Sequence, residues 1–92
     1  MQDPHAERFR SRLKTRHLVL LSELGRHGSI AHAAVAAHMT QPAASKMLAE
    51  VEHLLGTPLF DRLPRGVTPT PYGEIMIRRA SAALARRIMI SP

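Results

Sequence analysis

Apolar residues recur at helical spacing in the first half of the chain and mark the first of several helices. Leu18, Leu21 and Leu24 are three residues apart, which predicts a helix over about residues 13–26. Gly28 suits the left-handed conformation that closes a helix. The first helix is therefore expected to end just before it.

Two further helices follow in close succession. Ser29 can cap the second by accepting from its free amides, and this helix spans about residues 30–37. Thr40 can cap the third, in which Pro42 falls in the first turn, where a missing amide hydrogen costs nothing. Gly56 ends it. A short helix, a tight turn and a second helix form the unit that presents side chains to the DNA major groove.

The third predicted helix has one apolar side and one polar side. Its apolar stripe follows the spacing i, i+4, i+7 and i+11, at Ala44, Leu48, Val51 and Leu55. The opposite side carries Gln41, Ser45, Lys46, Ala49 and His53. Two glutamates lie in the second half of the helix, so its start is free of the negative charge that DNA would repel.

Two extended runs around a Pro-Arg-Gly turn follow the third helix. The prolines in residues 57–70 exclude helix and confine the strands to sheet edges, so the pattern predicts a hairpin. Arg62 and Arg65 are candidates for phosphate or minor-groove contacts, which would make the hairpin a wing. The alternative is a hairpin that only packs Leu59 and Phe60 on the core, and both roles are compatible.

A last helix is predicted over about residues 71–90. Thr70 can cap it, and Glu74 interacts favourably with the helix dipole near its start. At about 30 Å, this helix is too long for so small a core to cover, so part of its apolar face is expected to pair with a second copy of the chain. The expected dimer contacts are Tyr72, Met76, Ala80, Ala83, Leu84 and Ile88. The pairs Arg78-Arg79 and Arg86-Arg87 either form a solvent-exposed face of the helix or approach DNA.

Charge and composition narrow the class of partner. The 92 residues contain 13 Lys plus Arg against 7 Asp plus Glu, a formal net charge of +6. Such an excess favours a polyanion, with nucleic acid first and an anionic membrane surface second. Phe9, Phe60 and Tyr72 are the only aromatic residues. Their scarcity favours duplex DNA over single strands, which bind by stacking on aromatic side chains.

Composition also argues against several other functions. The chain has no cysteine, and none of its six histidines forms an i, i+4 pair, so neither a metal site nor a cofactor is expected. No phosphate loop or catalytic triad is evident, and we do not expect an enzyme. No apolar run approaches the ~18–20 residues that span a bilayer, so no membrane association is expected, and the absence of cysteine fits a reducing cytoplasm, where we expect the protein. A protein-interaction module built on the last helix remains an alternative.

Short motifs in one order and spacing carry a family resemblance. They are Gly28-Ser29-Ile30, Ala33-Ala34, Thr40-Gln41-Pro42-Ala43, Ser45-Lys46, Glu52, Leu55-Gly56, Pro58-Leu59-Phe60-Asp61-Arg62, and Thr70 with Gly73. Together they resemble the N-terminal winged helix-turn-helix domain of LysR-type transcriptional regulators, over about residues 18–87. The resemblance implies a mainly α fold with a three-helix core, a two-stranded wing and a long linker helix that pairs in a dimer.

A domain division and a DNA-binding site follow from the local sequence pattern and the resemblance taken together. We expect a flexible leader over residues 1–12, a winged helix-turn-helix domain over 13–70 and a linker and dimerisation helix over 71–92. The expected DNA-binding residues are Thr40, Gln41, Pro42, Ala43, Ser45, Lys46, Arg62 and Arg65. Lys46 stands where arginine is commoner in the family. The implied function is sequence-specific binding to an interrupted palindrome in duplex DNA, by a homodimer or higher homo-oligomer that regulates transcription. The family's effector-sensing domain lies outside these 92 residues.

Overall fold

Four helices and a two-stranded sheet make up the part of the chain that the computed structural model describes, residues 13–90, with side chains over 13–86. In chain order the elements are α1 (Thr15–His27), α2 (Ile30–Ala36), α3 (Gln41–Leu55), β1 (Phe60–Leu63), β2 (Gly66–Pro69) and α4 (Pro71–Ile90). The predicted mainly α fold, with a three-helix core, a wing and a long last helix, is confirmed. The expected leader over residues 1–12 lies outside the described residues.

Helix ends fall where the local sequence signals predict them. Gly28 and Gly56 close α1 and α3 with φ of 64° and 72°, in the left-handed region. The predicted N-caps also form. Ser29 Oγ accepts from His32 N at 3.2 Å, Thr40 Oγ1 accepts from Ala43 N at 3.2 Å, and Thr70 Oγ1 accepts from Gly73 N at 3.0 Å.

One core holds the elements together, and every helix and both strands contribute to it. Its buried side chains are Leu20, Leu21, Leu24, Ile30, Ala33, Ala34, Ala44, Leu48, Val51, Leu59, Phe60, Val67, Met76 and Ala80. The alanines of α2 and α3 have small side chains, so these two helices can approach closely. Leu55, the last member of the predicted stripe on α3, packs at the edge of this core and is half-buried.

The hairpin is antiparallel, with Phe60 opposite Pro69 and Leu63 opposite Gly66. Its second strand is bonded to the turn between α1 and α2, because Val67 N donates to Gly28 O at 3.0 Å. The wing is therefore fixed to the helical core through β2 as well as through the chain that enters β1.

Helix α4 packs along α1. Ser22 Oγ and Ser81 Oγ are 3.1 Å apart across this contact, and Ile77 lies against Gly25. Met76 and Ala80, two residues expected at a dimer contact, are buried within the chain at 9% and 1% exposure. These two residues belong to the core of their own chain, where α1 packs along α4. Within the described residues, no helix is long and apolar enough to cross a membrane.

Candidate nucleic-acid interface

The start of α3 presents the predicted base-reading side chains to solvent. Thr40, Gln41, Pro42, Ala43 and Lys46 are exposed, and Ser45 is half-buried. On the other side of the same turns, Ala44 and Leu48 are buried in the core and fix the rotation of the helix. The structure thus brings Thr40 and the five α3 residues of the predicted site together at one end of one helix.

A tight turn sets the path of α3 relative to α2. His38 adopts a left-handed φ of 58°, which is uncommon for a residue with a side chain. Met39 N donates to Ala34 O at 2.8 Å, and the Met39 side chain packs against the core. This bonded turn, together with the Thr40 cap, holds the first turn of α3 in place before any partner binds.

The two wing arginines are exposed, as a role in phosphate binding requires. Arg62 lies in β1 opposite Val67, whose side chain is buried, while Arg65 lies in the turn between the strands. Among the described residues, Glu23 has the only carboxylate within ion-pair distance of a basic side chain, 3.7 Å from Arg26 Nε and 3.4 Å from His27 Nε2, and the second contact is an ion pair only when His27 is protonated. Lys46 and the wing arginines therefore have no carboxylate partner in that part of the chain.

A shallow open groove runs beside the exposed start of α3 and reveals basic residues that the sequence did not single out. Its walls are formed by Lys14, Arg16, His17, Met39, Ala43, Lys46, Met47 and Glu50. Lys14 and Arg16, both exposed, come from the start of α1, which the sequence suggested only as support for the other helices. Their position just before the first apolar repeat is the one signal that could have indicated them.

His17 lies in the same groove and is held as a neutral imidazole. Lys14 N donates to His17 Nδ1 at 2.9 Å, a bond that requires an unprotonated nitrogen. Burial lowers the pKa of His17 below its ordinary value of 6.5, and the nearby carboxylate of Glu50 opposes that shift without cancelling it. The positive charge of the groove therefore comes from the lysines and Arg16.

Glu52 is a second residue whose role the sequence did not reveal. It lies in the last turns of α3, and its Oε2 accepts from Leu59 N at 2.6 Å and from Phe60 N at 3.2 Å. The carboxylate thereby bonds α3 to the first residue of the wing. No cluster of three potential metal ligands occurs among the residues described.

A family model and individual relatives of known sequence indicate the same protein family. The sequence-family model described as "Bacterial regulatory helix-turn-helix protein, lysR family" matches residues 15–74. The HTH-type transcriptional regulator GbpR of Azospirillum brasilense is 47% identical over 77 residues, which cover 84% of this chain and 22% of that protein. TdcA of Escherichia coli (strain K12), another HTH-type transcriptional regulator, is 42% identical over 69 residues, covering 75% and 22%. The chain spans about a fifth of the length of these relatives.

Solved structures with the same fold include complexes with DNA. The CbnR_DBD–DNA complex superposes with a TM-score of 0.75 at 27% identity, covering 82% of this chain and 86% of that one. The complex of BenM_DBD with catB site 1 DNA has a TM-score of 0.79 at 27% identity, covering 85% and 87%. In each of these two comparisons, more than four fifths of this chain and of the solved chain are matched.

Proposed function

Because the chain belongs to the lysR family of bacterial regulatory helix-turn-helix proteins, we propose that it binds duplex DNA sequence-specifically and regulates transcription as a dimer. The observation that carries this proposal is the exposed start of α3, held by the Thr40 cap and by the buried Ala44 and Leu48. Solved relatives of this fold in complex with DNA support it. Since the partner would be bacterial DNA, the proposal places the protein in the cytoplasm.

Base recognition in this proposal belongs to the first two turns of α3. The side-chain amide of Gln41 donates and accepts at once, which fits the major-groove edge of adenine. Pro42 and Ala43 offer apolar contact to a thymine methyl group. The hydroxyls of Thr40 and Ser45 are short and suit a phosphate oxygen or a nearby base.

Phosphate contacts come from basic residues on three elements. Lys46 of α3 and the wing residues Arg62 and Arg65 belong to the set expected from sequence, and Lys14 and Arg16 at the start of α1 extend it along the groove. Five phosphate contacts in each protomer would give a slope of about −4.5 in a plot of log K against log salt concentration. These contacts fix the register of α3 on the duplex without specifying sequence.

The dimer in this proposal forms through the exposed flank of α4. Tyr72 and Ile75 are 43% and 41% exposed and stand one helical turn apart. Ala83 and Leu84 are half-buried further along, and the Ile88 side chain lies outside those described. A two-fold symmetric pair of such helices places two copies of α3 on one duplex, which is why we expect the site to be an interrupted palindrome.

The test is selection of bound duplexes from a random library, followed by fluorescence anisotropy titration at near-physiological salt. We expect enriched palindromes that bind at least tenfold more tightly than a scrambled duplex of equal composition, a difference of about 1.4 kcal/mol. Equal and steeply salt-dependent binding to both duplexes would contradict sequence recognition. Failure to bind either duplex would overturn the proposed function.

A further inference from the structure

The segment Pro58–Phe60, which we call the junction segment, links α3 to the wing and is bonded through both sides of its backbone. On the amide side, Glu52 Oε2 accepts from Leu59 N (2.6 Å) and Phe60 N (3.2 Å). On the carbonyl side, Thr70 Oγ1 donates to Pro58 O (2.9 Å) and Thr70 N donates to Leu59 O (3.0 Å). One carboxylate of α3 and the residue that caps α4 therefore hold the junction segment from opposite directions.

Glu52 differs from the other acidic residue of α3 in its surroundings. Glu52 is half-buried, whereas Glu50 is exposed. Withdrawing a carboxylate from water is unfavourable unless hydrogen bonds replace the lost hydration, and two amide donors on one oxygen do so. Bonds to a charged acceptor are also stronger than neutral ones, so this contact restrains the junction segment firmly.

The wing has a second anchor that does not depend on Glu52. Val67 N in β2 donates to Gly28 O, and the Val67 side chain is buried in the core. Loss of the Glu52 carboxylate would leave the hairpin paired and attached through β2. What would loosen is the position of β1 relative to α3.

We propose that Glu52 is a positioning residue for DNA binding, which holds Arg62 of β1 at a fixed place relative to the exposed start of α3. Arg62 follows Phe60 by two residues on the same strand, so the bond at Phe60 N fixes the start of the strand that carries it. A wing that is already in place loses less conformational freedom when it contacts a phosphate, and binding is tighter for that reason. This inference rests on the proposed function.

The first test compares Glu52→Ala with Glu74→Ala, a change in the exposed first turn of α4, on a short fluorescent duplex of random sequence, since phosphate contacts do not depend on sequence. Both changes remove one negative charge from the chain, and charge alone should make each variant bind DNA more tightly. We expect Glu74→Ala to bind as well as or better than wild type. Glu52→Ala should bind about three- to tenfold more weakly, and Glu52→Gln, which keeps one acceptor oxygen, should fall between.

The second test is a double-mutant cycle that combines Glu52→Ala with Arg62→Ala. If Glu52 only stabilised the fold, Arg62→Ala would weaken DNA binding by the same factor in both backgrounds. We expect Arg62→Ala to weaken binding about threefold in the wild-type chain and less than about twofold in the Glu52→Ala chain, because the unrestrained arginine already contributes little. If Glu52→Ala fails to give a cooperative thermal transition, the same cycle is run on Glu52→Gln.

An equal effect of Arg62→Ala in both backgrounds would overturn the inference, as would a Glu52→Ala chain that binds like Glu74→Ala. Absence of binding by the wild-type chain at low salt is a different result, because it would overturn the proposed function itself.

Discussion

At the scale of single residues, the exposed end of α3 separates a residue suited to base recognition from those suited to phosphate. Gln41 is the first residue of the helix and is exposed, with both donor and acceptor groups on its side chain. Lys46, one and a half turns further on, carries a point charge without the planar fork of arginine. We therefore expect sequence preference to depend on Gln41 more than on Lys46.

Gln41→Ala should relax the preference at one position of each half-site, because the alanine can form no hydrogen bonds to a base edge. The expected loss is about 1–3 kcal/mol on the preferred duplex and little on a duplex already altered at that base pair. Anisotropy titrations against duplexes that differ by single base pairs would measure it. Uniform weakening on all of them would make Gln41 a backbone contact instead.

Arg62→Ala should weaken binding to every sequence, since phosphate contacts carry no base information. The slope of log K against log salt should become shallower by about one unit. Arg78→Ala, which removes the same charge from an exposed position on α4, serves as the control and should leave the slope closer to wild type. A slope unchanged by Arg62→Ala would exclude the wing from the interface.

At the scale of elements, the structure confirms what local signals determine. Gly28 and Gly56 end helices because glycine adopts left-handed φ without strain, and Ser29, Thr40 and Thr70 begin them because a side-chain oxygen satisfies a free amide. Each signal acts within about four residues, so it can be recognised in the sequence itself.

Contacts between distant parts of the chain could not be predicted in the same way. The sequence shows that Glu52 lies on α3, but the amides it accepts from belong to residues seven and eight positions later, past a helix end. It shows an apolar face on α4, but not that the core of the same chain buries Met76 and Ala80. For the candidate site, the residues on α3 and the wing were indicated by pattern. The position of Lys14 beside these residues could not be predicted, because it depends on how α1 packs.

The first turn of α4 depends on a glycine at position 73. A Cβ added to Gly73 would collide with the carbonyl oxygen of Leu59, a backbone atom in the junction segment that cannot move aside cheaply. Gly73→Ala should therefore lower the free energy of unfolding by about 2–3 kcal/mol, measured by urea denaturation followed by circular dichroism.

Gly56→Ala is the comparison for this prediction. Gly56 has open space around its Cβ position but a φ of 72°, so its replacement costs about 1 kcal/mol of backbone strain alone. If Gly73→Ala were no more destabilising than Gly56→Ala, the close approach of α4 to Leu59 would not matter for stability.

At the scale of the whole molecule, α4 both completes the core and offers a surface beyond it. One side of its first turns supplies Met76 to the core, while the adjoining flank leaves Tyr72 and Ile75 exposed. Exposed apolar side chains grouped on one flank are typical of a contact surface. The same helix can thus belong to the fold of one chain and to the assembly of two.

Ile75→Asp should shift the chain from dimer to monomer, because it places a charge in the middle of that flank. We expect dimer dissociation to become easier by about 2 kcal/mol. Sedimentation velocity over a range of protein concentrations would measure it. Val35→Asp puts the same charge at an exposed apolar position on α2 and should leave the oligomeric state unchanged. If both variants behave alike, the dimer forms elsewhere.

The close approach of α1 and α4 has a consequence for the evolution of related chains. A Cβ built on Gly25 would lie 2.7 Å from Cγ2 and 2.9 Å from Cδ1 of Ile77. A smaller residue at position 77 lacks one or both of these atoms. In an alignment of homologues, alanine or serine at position 25 should therefore co-vary with a residue smaller than isoleucine at position 77, and isoleucine should accumulate there when position 25 is glycine.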